Sequence, residues 1–455
     1  MTNNKSLDMT SGKAVPLVMK LSFPLMVGNL FQQLYSLIDA AIVGKLVSIP
    51  ALAAIGSTSW VQWLILGICR DFGNTFSIIA SKRVGAKNDD EFRLTFANSL
   101  MSGFVVMLLL MLISLLFIDQ ILQALHVPFD VLKDAKTYLI IFISMTPFII
   151  LFNIFAAMLQ AYGQSSAQSV IMVISNIINI ILDLIFVLLF SWGVTGVGFA
   201  TLISQIIAVI LLYTRIKKHK KIKINKEDRR WSKAIMHEFR VLCVPMFWNT
   251  FIIATGGLIV QTQVNKQGSA FAAGISASNK LFSLVEAIIM SIQTGTTIYI
   301  GQNLGARLFK RIKKGVTKIV ISTECLTLIL AVLVFIFSPY LLPLMLNSES
   351  PDIFQEAFET GLQAIRILSG GMLIMAPMYL YRGAIHTLGY AIFPLLAGVA
   401  QLIMRTFTVF ALPPYLGKTA YYLPTIFAWA ASLPIVYFSY RIYLKKIALG
   451  QVKTL

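Results

Sequence analysis

Charged residues, cysteine and histidine are all scarce in this sequence. Only 13% of its 455 residues are charged, and it contains three cysteines and four histidines. Cys69, Cys243 and Cys325 lie far apart and form no Cys-x-x-Cys pair. This spacing argues against a disulfide framework and a zinc site, and four histidines are too few to indicate a histidine-rich metal centre.

The sequence also lacks the common motifs of nucleotide-driven proteins and hydrolases. It has no G-x-x-x-x-G-K-[ST] loop, so we do not expect ATP hydrolysis to drive its activity. The H-E-x-x-H and G-x-S-x-G patterns are absent as well. We therefore expect a protein that is not an enzyme and that needs no cofactor.

Hydrophobic residues, by contrast, make up 57% of the chain, more than a soluble domain of this size requires. Apolar segments broken by Gly, Pro and charge clusters predict an all-α polytopic membrane protein with twelve transmembrane helices. The expected limits are 15–43, 52–81, 94–117, 137–160, 166–190 and 196–214 in the first half, and 241–264, 271–301, 316–338, 353–381, 391–411 and 420–443 in the second.

The net charge of +19 would suit a nucleic-acid partner, but the positions of the charges do not. Most lysines and arginines fall on one side of the predicted spans, which the positive-inside rule assigns to the cytoplasm. The longest basic run, Arg215 to Arg230, reads as a charged linker on that side. We predict a bacterial-type plasma-membrane protein that has both termini in the cytoplasm and binds no nucleic acid.

The basic run divides the chain into two halves of six predicted spans each. We predict a first lobe over 1–214, a linker over 215–240 and a second lobe over 241–455. Because six is even, both halves enter the membrane from the same side, as parallel repeats do around an axis along the membrane normal. Such an architecture favours a transporter that works by alternating access.

Weak sequence repeats support this pseudo-symmetry, at nearly constant offsets of 221, 220 and 226 residues. They pair L-S-F-P at 21–24 with L-C-V-P at 242–245, K-R-V-G-A-K at 82–87 with Q-N-L-G-A-R at 302–307, and L-Q-A-Y-G-Q at 159–164 with I-H-T-L-G-Y at 385–390.

A polar stripe runs along the first predicted span. Asn29, Gln32, Ser36 and Asp39 fall within an arc of about 80° on one helix face. An ionised Asp at bilayer depth costs about 2.5–3.5 kcal/mol, so Asp39 should face a partner or a wet cavity. The stripe is either a seam satisfied by neighbouring helices or a site where Asp39 binds and releases a cation.

The fifth predicted span carries a second polar stripe, formed by Asn176, Asn179 and Asp183. Two amides and a carboxylate could coordinate Na⁺ or position a proton-binding carboxylate. The alternative is helix–helix hydrogen bonding, for which Asn is common in membranes. If Asp39 and Asp183 share a pocket, a proton or Na⁺ would neutralise it and a cationic substrate would compete, which is sufficient for antiport.

Other polar residues inside predicted spans leave alternatives open. Pro24, fifteen residues before Asp39, can seed either a static kink or a functional bend. Glu286 is the best acidic candidate in the second half, although Glu286 and Glu324 could instead pair with intramembrane arginines. Those arginines are Arg70, Arg366 and Arg405.

Taken together, these motifs resemble the multidrug and toxic compound extrusion (MATE) family over nearly the whole chain. The matching features are the S-x-P start of the first span, Asp39 fifteen residues after Pro24, G-A-K at 85–87, N-x-x-x-D at 179–183, G-V-G-F-A-T at 196–201 and the Q-N-L-G-A-R turn. The resemblance implies two six-helix lobes in a V and cation-coupled export of organic, often cationic, compounds.

The resemblance also implies roles for individual residues. Asp39 resembles the coupling carboxylate of the family's first helix, and Asn179, Asp183 and Thr201 resemble the rest of a site for H⁺ or Na⁺. Pro24 resembles a proline that takes part in bending the first helix. The expected substrate cavity includes Gln32, Ser36, Asn176 and Glu286.

The seventh span, around Gln261 and Gln263, lacks the acid that some branches place there. The pattern is therefore closest to the DinF-type branch, and we expect the cation site in the first lobe. We expect a monomer in the lipid bilayer that takes small organic cations as substrates. The main alternative is a lipid-linked oligosaccharide flippase of the same superfamily, whose cavity Arg70, Arg366 and Arg405 would line.

Overall fold

The structure is a computed structural model that describes residues 7–125, 127, 129, 131–219, 221–346 and 351–450. The first six residues and the last five, whose cytoplasmic location the sequence predicts, lie outside the described residues. All regular secondary structure in the described part is helical, which confirms the all-α prediction.

Sixteen α-helices, numbered in chain order, make up most of the described chain. They are α1 Ala14–Ile42, α2 Ile49–Ser57, α3 Ser59–Gly85, α4 Asp89–Leu116, α5 Ile118–Ala124, α6 Leu132–Ser144, α7 Thr146–Ala161, α8 Ser165–Leu184, α9 Gly193–Lys217, α10 Lys233–Asn265, α11 Ser269–Gly305, α12 Phe309–Leu341, α13 Pro351–Thr387, α14 Ile392–Ala411, α15 Pro413–Leu416 and α16 Pro424–Ala448. Two π-helical turns, Val43–Val47 and Ile185–Leu189, follow α1 and α8, and 3-10 turns cover Leu342–Leu344 and Gly417–Tyr422.

Each of the twelve predicted spans coincides with a long helix or with two consecutive helices. Nine helices of the described residues are long and apolar enough to cross a membrane, and two bent pairs raise that number to 11. The pairs are α6 with α7, bent by 40°, and Pro413–Tyr422 with α16, bent by 84°. The second predicted span is also interrupted: it comprises α2 and α3, and α3 carries the polar residues Arg70 and Asp71.

The first compact unit of the chain contains Phe23–Arg240, with Leu7 and Asp8. Its helices approach closely where a glycine leaves room. A Cβ at Gly73 on α3 would lie 3.0 Å from the carbonyl oxygen of Asn153 on α7. In the same unit α8 packs along α9, where the Ser175 hydroxyl donates to the Ser204 carbonyl at 2.7 Å.

The second compact unit contains Met9–Ser22 and the chain from Val241 onward. Helices α11 and α13 form its most extensive contact, where a Cβ at Gly274 would lie 2.4 Å from the Ala357 carbonyl oxygen. The segment before α1 is bound here, since the Met9 amide donates to Oε1 of Gln302 at 2.9 Å. The unit therefore includes the first turns of α1, and the rest of that helix belongs to the first unit.

The basic linker is folded onto the first unit. Lys82 and Arg83, at the end of α3, each form an ion pair with Glu238 at 2.9 Å. Arg93 on α4 pairs with Asp228 at 3.1 Å. Asn98, also on α4, donates to the Arg230 carbonyl at 3.0 Å and accepts from the Ser232 amide at 2.9 Å. These contacts explain why the first unit extends to Arg240.

An aromatic contact fixes the start of the same linker. The rings of His219 and Tyr162 lie 5.4 Å apart, and the Tyr162 hydroxyl donates to Asp89 at the first turn of α4. Burial lowers the pKa of His219, so its imidazole is neutral at physiological pH. The start of the linker is therefore anchored beside Tyr162 and the first turn of α4.

Candidate functional site

Asp39 and Asp183 occupy equivalent local positions on α1 and α8. Asp39 lies one turn before α1 ends at Ile42, and Asp183 lies one residue before α8 ends at Leu184. Each helix then widens into a π-helical turn. Single π turns are rare and are often found at functional sites, because they alter the direction of side chains along a helix.

The two acidic side chains meet in the interior of the first unit. Asp39 and Asp183 are in hydrogen-bonding contact, and Nδ2 of Asn179 donates to Oδ2 of Asp183 at 3.2 Å. Asp183 is fully buried and Asn179 is 2% exposed. Oδ1 of each carboxyl group is buried and has no hydrogen-bond partner in the described part of the chain. The site therefore retains unused acceptor capacity.

Two tyrosines surround the acidic pair. Tyr35, one helical turn before Asp39, is in hydrogen-bonding contact with Thr201 on α9. The Thr201 hydroxyl also donates to the Val197 carbonyl within its own helix at 3.0 Å. Tyr138 on α6 is 5% exposed and lies close enough to both carboxyl groups to interact with them electrostatically. The structure thus brings all four residues of the predicted cation site into one region.

The acidic pair has no basic partner in the part of the chain that the structure describes, where no ion pair within 4.0 Å includes Asp39 or Asp183. Apolar side chains pack around the pair. Two carboxylates in hydrogen-bonding contact cannot both stay ionised there without a compensating positive charge. The apolar cluster around Tyr138 contains Ile42, Val43, Ala51, Val187, Val194 and Val197. The region therefore suits one positive charge at a time.

The donor atoms fit a proton or a hard monovalent cation. Two carboxyl groups, one amide and one hydroxyl offer only oxygen ligands, which are the ligands that hard cations prefer. Within the described residues, no group of three or more His, Cys, Asp and Glu converges as a transition-metal site would require. The geometry is thus compatible with either of the two coupling ions that the sequence analysis considered.

The predicted cavity residues have different environments. Gln32 and Ser36 are exposed on α1, on the turns that precede Asp39. Asn176 is half-buried on α8, and its Nδ2 has no hydrogen-bond partner in the described part of the chain. Glu286 belongs to the second unit. Whether any of the four contacts a substrate stays a prediction.

In the second unit, Glu286 belongs to a mixed cluster that sequence reasoning did not assemble. The Tyr379 hydroxyl on α13 donates to Oε1 of Glu286 on α11 at 2.6 Å. The guanidinium carbon of Arg382 lies 5.8 Å from the centre of the Tyr379 ring. Arg405 on α14 is near enough to Glu286, Tyr379 and Arg382 to interact with each electrostatically. In the sequence, the only indication of this cluster was that Glu286 and Arg405 lie inside predicted spans.

Glu286 and Glu324 were the acids expected to pair with arginines inside the predicted spans. Among the described residues, no ion pair within 4.0 Å joins either acid to an arginine. Oε1 of Glu324 is buried there without a hydrogen-bond partner. Arg366 is exposed and its guanidinium lies 5.1 Å from the centre of the Phe335 ring, while Arg70 is exposed on α3. The pairing alternative therefore finds no support among the described residues, where Glu286 accepts from Tyr379 and Arg366 lies against the Phe335 ring.

Comparison with known proteins agrees with this architecture. The family model described as MatE matches residues 24–185 and 245–410. The chain is similar to the probable multidrug resistance protein YoeA of Bacillus subtilis, at 26% identity over 335 residues that cover 72% of each chain. It is 29% identical over 324 residues to the multidrug export protein MepA of Staphylococcus haemolyticus, covering 69% of this chain and 70% of that one.

A solved structure matches the fold over its full length. It is the outward-facing conformation of a multidrug resistance MATE family transporter of the MOP superfamily, with a TM-score of 0.89 and 19% identity. The alignment covers 99% of this chain and 100% of that chain. At 19% sequence identity, this likeness shows the fold alone.

Proposed function

The chain belongs to the MatE family, and from that premise we propose that it exports small organic cations across a membrane in exchange for H⁺ or Na⁺. The single observation that carries the proposal is the contact between Asp39 and Asp183, two acids in an apolar interior without a basic partner among the described residues. The names of the similar proteins YoeA and MepA, which refer to multidrug resistance and export, support the choice of substrate class.

Competition for one negative site explains how the exchange is coupled. When H⁺ or Na⁺ occupies the acidic pair, repulsion between the carboxyl groups is removed and an organic cation is not attracted. When the ion leaves, the site regains its negative charge and attracts the organic cation. A transporter that changes access only in the neutralised or the substrate-bound state then exchanges one positive guest for the other.

The first helix is suited to transmit the charge state of this site. Pro24 lies inside α1 and cannot donate a backbone hydrogen bond, so the helix is weakened about four turns before Asp39. The division of the chain into compact units falls between Ser22 and Phe23, next to this proline. We propose that neutralising Asp39 shifts the equilibrium between a straighter and a more bent α1.

We further propose that the protein is a monomer in a bacterial plasma membrane, with both termini in the cytoplasm. The basic residues support this orientation, since the positive-inside rule concentrates them on the cytoplasmic side. The linker between α9 and α10 would lie on that side. Cysteine-scanning with a membrane-impermeant thiol reagent at Lys226, an exposed position of the linker, checks the orientation.

Transport in proteoliposomes tests the antiport. The vesicles contain rhodamine B ethyl ester, a fluorescent organic cation, and a pH or Na⁺ gradient is imposed. Efflux should follow one of the gradients in the wild type and lose this dependence in Asp39→Asn and Asp183→Asn. Asp119→Asn is the matched control, because Asp119 lies in the same unit but pairs with Lys136 at an exposed position.

Efflux that ignores both gradients in the wild type, or that keeps its gradient dependence in both variants, would refute the antiport. The arginine Arg405 keeps the flippase alternative open, and that alternative predicts a different transported compound. A fluorescent lipid-linked oligosaccharide would then cross the bilayer faster in vesicles with the protein than in vesicles without it. Arg366 supports that alternative less, since its guanidinium lies against the Phe335 ring.

A further inference from the structure

The second unit contains two guanidinium groups and one carboxylate in a region that the proposed cation exchange does not use. Arg382, Arg405 and Glu286 lie on α13, α14 and α11, and Tyr379 contacts both Arg382 and Glu286. Arg382 is 9% exposed, and Arg405 and Glu286 are half-buried. Arg405 and Glu286 lie inside predicted spans, and ionised groups at membrane depth are costly and are retained chiefly where they act.

The carboxylate of Glu286 accepts the hydrogen bond from Tyr379, and among the described residues no ion pair within 4.0 Å joins it to Arg405. Two guanidinium groups against one carboxylate leave this cluster with one excess positive charge. Because like charges repel strongly in a medium of low polarity, an anion placed between the arginines would stabilise both.

Arg405 is positioned by the backbone rather than by an acid. Its Nη1 donates to the Ile253 carbonyl on α10 at 3.2 Å. Gly256, one turn further along α10, leaves space for it, since an added Cβ would lie 3.2 Å from Cδ of Arg405. Nε is buried and has no hydrogen-bond partner in the described part of the chain. The side chain is thus fixed in place while part of its donor capacity is unused.

Tyr379 completes the set of groups that could recognise an anion. Its ring lies under the Arg382 guanidinium, and its hydroxyl joins α13 to Glu286 on α11. Planar guanidinium groups match the two oxygens of a carboxylate, whereas a hydrated ammonium would act only as a point charge. The cluster therefore suits a planar carboxylate better than a spherical anion.

We propose that Arg382 and Arg405 form a binding site for the carboxylate of zwitterionic or anionic organic compounds. The site lies within the second unit and is separate from the Asp39–Asp183 pair. It extends the proposed export function, on which it rests for the assumption that the bound compound is a transport substrate. The substrate range then includes molecules that carry an acidic group as well as a positive one.

A pair of dyes that differ only at the carboxyl group tests the site. Rhodamine B carries a free carboxylate, and its ethyl ester is a plain cation. Affinities are measured by fluorescence anisotropy with the full-length protein in nanodiscs of phosphatidylcholine, so that no anionic lipid competes. In Arg405→Gln the affinity for rhodamine B should fall by about tenfold or more, and the affinity for the ester should change by less than about twofold.

Two further variants make the result specific. Arg382→Gln should reproduce the selective loss, and it replaces Arg405→Gln if that variant does not fold. Arg366→Gln is the matched control, since this arginine of the same unit stacks on Phe335 and should bind both dyes as the wild type does. Equal losses for both dyes would indicate a structural role, and unchanged affinity for rhodamine B would exclude the site; either result overturns the proposal.

Failure of this site can be told from failure of the proposed antiport. The acid-to-ester affinity ratio is measured without any ion gradient, so it does not depend on coupling. The antiport is judged instead from gradient-driven efflux of the ester, which carries no carboxylate. If the protein exports the ester along an ion gradient but binds rhodamine B no more tightly than the ester, the antiport proposal stands and the anion site is excluded.

Discussion

The two compact units place opposite charges in their interiors. In the first, Asp39 and Asp183 contact each other with no ion-pair partner within 4.0 Å among the described residues. In the second, two arginines lie near one carboxylate, which is bonded to a tyrosine instead. The two halves that the weak sequence repeats relate therefore have similar helices but different polar residues in their interiors. A pseudo-symmetric backbone does not require pseudo-symmetric chemistry, because a few buried side chains decide the charge.

The largest expected effect is on coupling, and it would separate the two units most clearly. A tenfold ion gradient stores about 1.4 kcal/mol, which sustains a roughly tenfold substrate ratio in one-for-one exchange. In Asp39→Asn this ratio should fall to near one, because the site can no longer exchange a charge. Glu286→Gln should keep the ratio, since we propose that the coupling ion binds in the first unit. Steady-state accumulation of the ester dye in proteoliposomes measures both.

Equal losses in the two variants would show that coupling is shared between the units and would remove the distinction.

The next effect concerns charges that are already paired. Lys82 and Glu238 are buried and lie 2.9 Å apart in the first unit, and Arg83 pairs with the same carboxylate. Removing the acid from a buried ion pair typically costs about 3–5 kcal/mol. We therefore expect Glu238→Gln to lower the free energy of unfolding by that amount. Chemical denaturation in detergent, followed by circular dichroism, provides the measurement.

The control for this prediction comes from the other unit. Glu356 and Lys418 form an exposed ion pair at 3.0 Å, and exposed pairs contribute about 0–1 kcal/mol. Glu356→Gln should therefore leave the stability nearly unchanged. Similar costs for the two variants would mean that burial is not what makes the Glu238 pair important.

A smaller effect compares the tyrosines beside the two clusters. Tyr379 donates to a carboxylate, and hydrogen bonds to charged groups contribute about 1.5–3 kcal/mol. Tyr35 contacts the neutral hydroxyl of Thr201, where a hydrogen bond contributes about 0.5–1.5 kcal/mol. Tyr379→Phe should therefore destabilise the protein more than Tyr35→Phe in the same denaturation assay. The reverse order would mean that the hydrogen bond from Tyr379 to Glu286 contributes less than a hydrogen bond to a charged group should.

The smallest effect tests the first helix against its counterpart in the repeat. Pro24 lies inside α1 and Pro245 lies inside α10. Pro24→Ala should slow exchange by roughly fivefold, as a bias of about 1 kcal/mol toward one form of α1 would do. Its equilibrium affinity for the ester dye should not change. Pro245→Ala should transport at the wild-type rate, because no coupling acid follows it in α10.

A Pro24→Ala protein that transports at the wild-type rate would make the proline a static feature of the helix.

Much of the fold could be predicted from the sequence. Long apolar runs interrupted by charge and glycine were sufficient to place twelve spans, because a membrane accepts only segments of a given length and polarity. The break at Thr58 between α2 and α3 was not predicted, nor were the π turns at Val43–Val47 and Ile185–Leu189. These depend on local backbone geometry, which apolar periodicity does not encode.

The candidate sites show the same limit. Asp39 and Asp183 could be selected because a carboxyl group inside an apolar span is conspicuous, and Asn179 follows from helical spacing. Tyr138 could not be found in this way, because nothing in its own segment indicates that α6 lies beside α1 and α8. The Arg382–Arg405 cluster was missed for the same reason, since its three charged residues lie on three different helices.

By itself, the sequence determined that this chain is a helical membrane protein with two related halves and with a few charges in otherwise apolar segments. Hydropathy and helical period are properties of single segments, so no tertiary information was needed. Only the tertiary structure decided which of those charges meet, and therefore that one interior is acidic and the other carries an excess of arginine. The physical reason is that an electrostatic interaction depends on distance in space, which packing between helices sets.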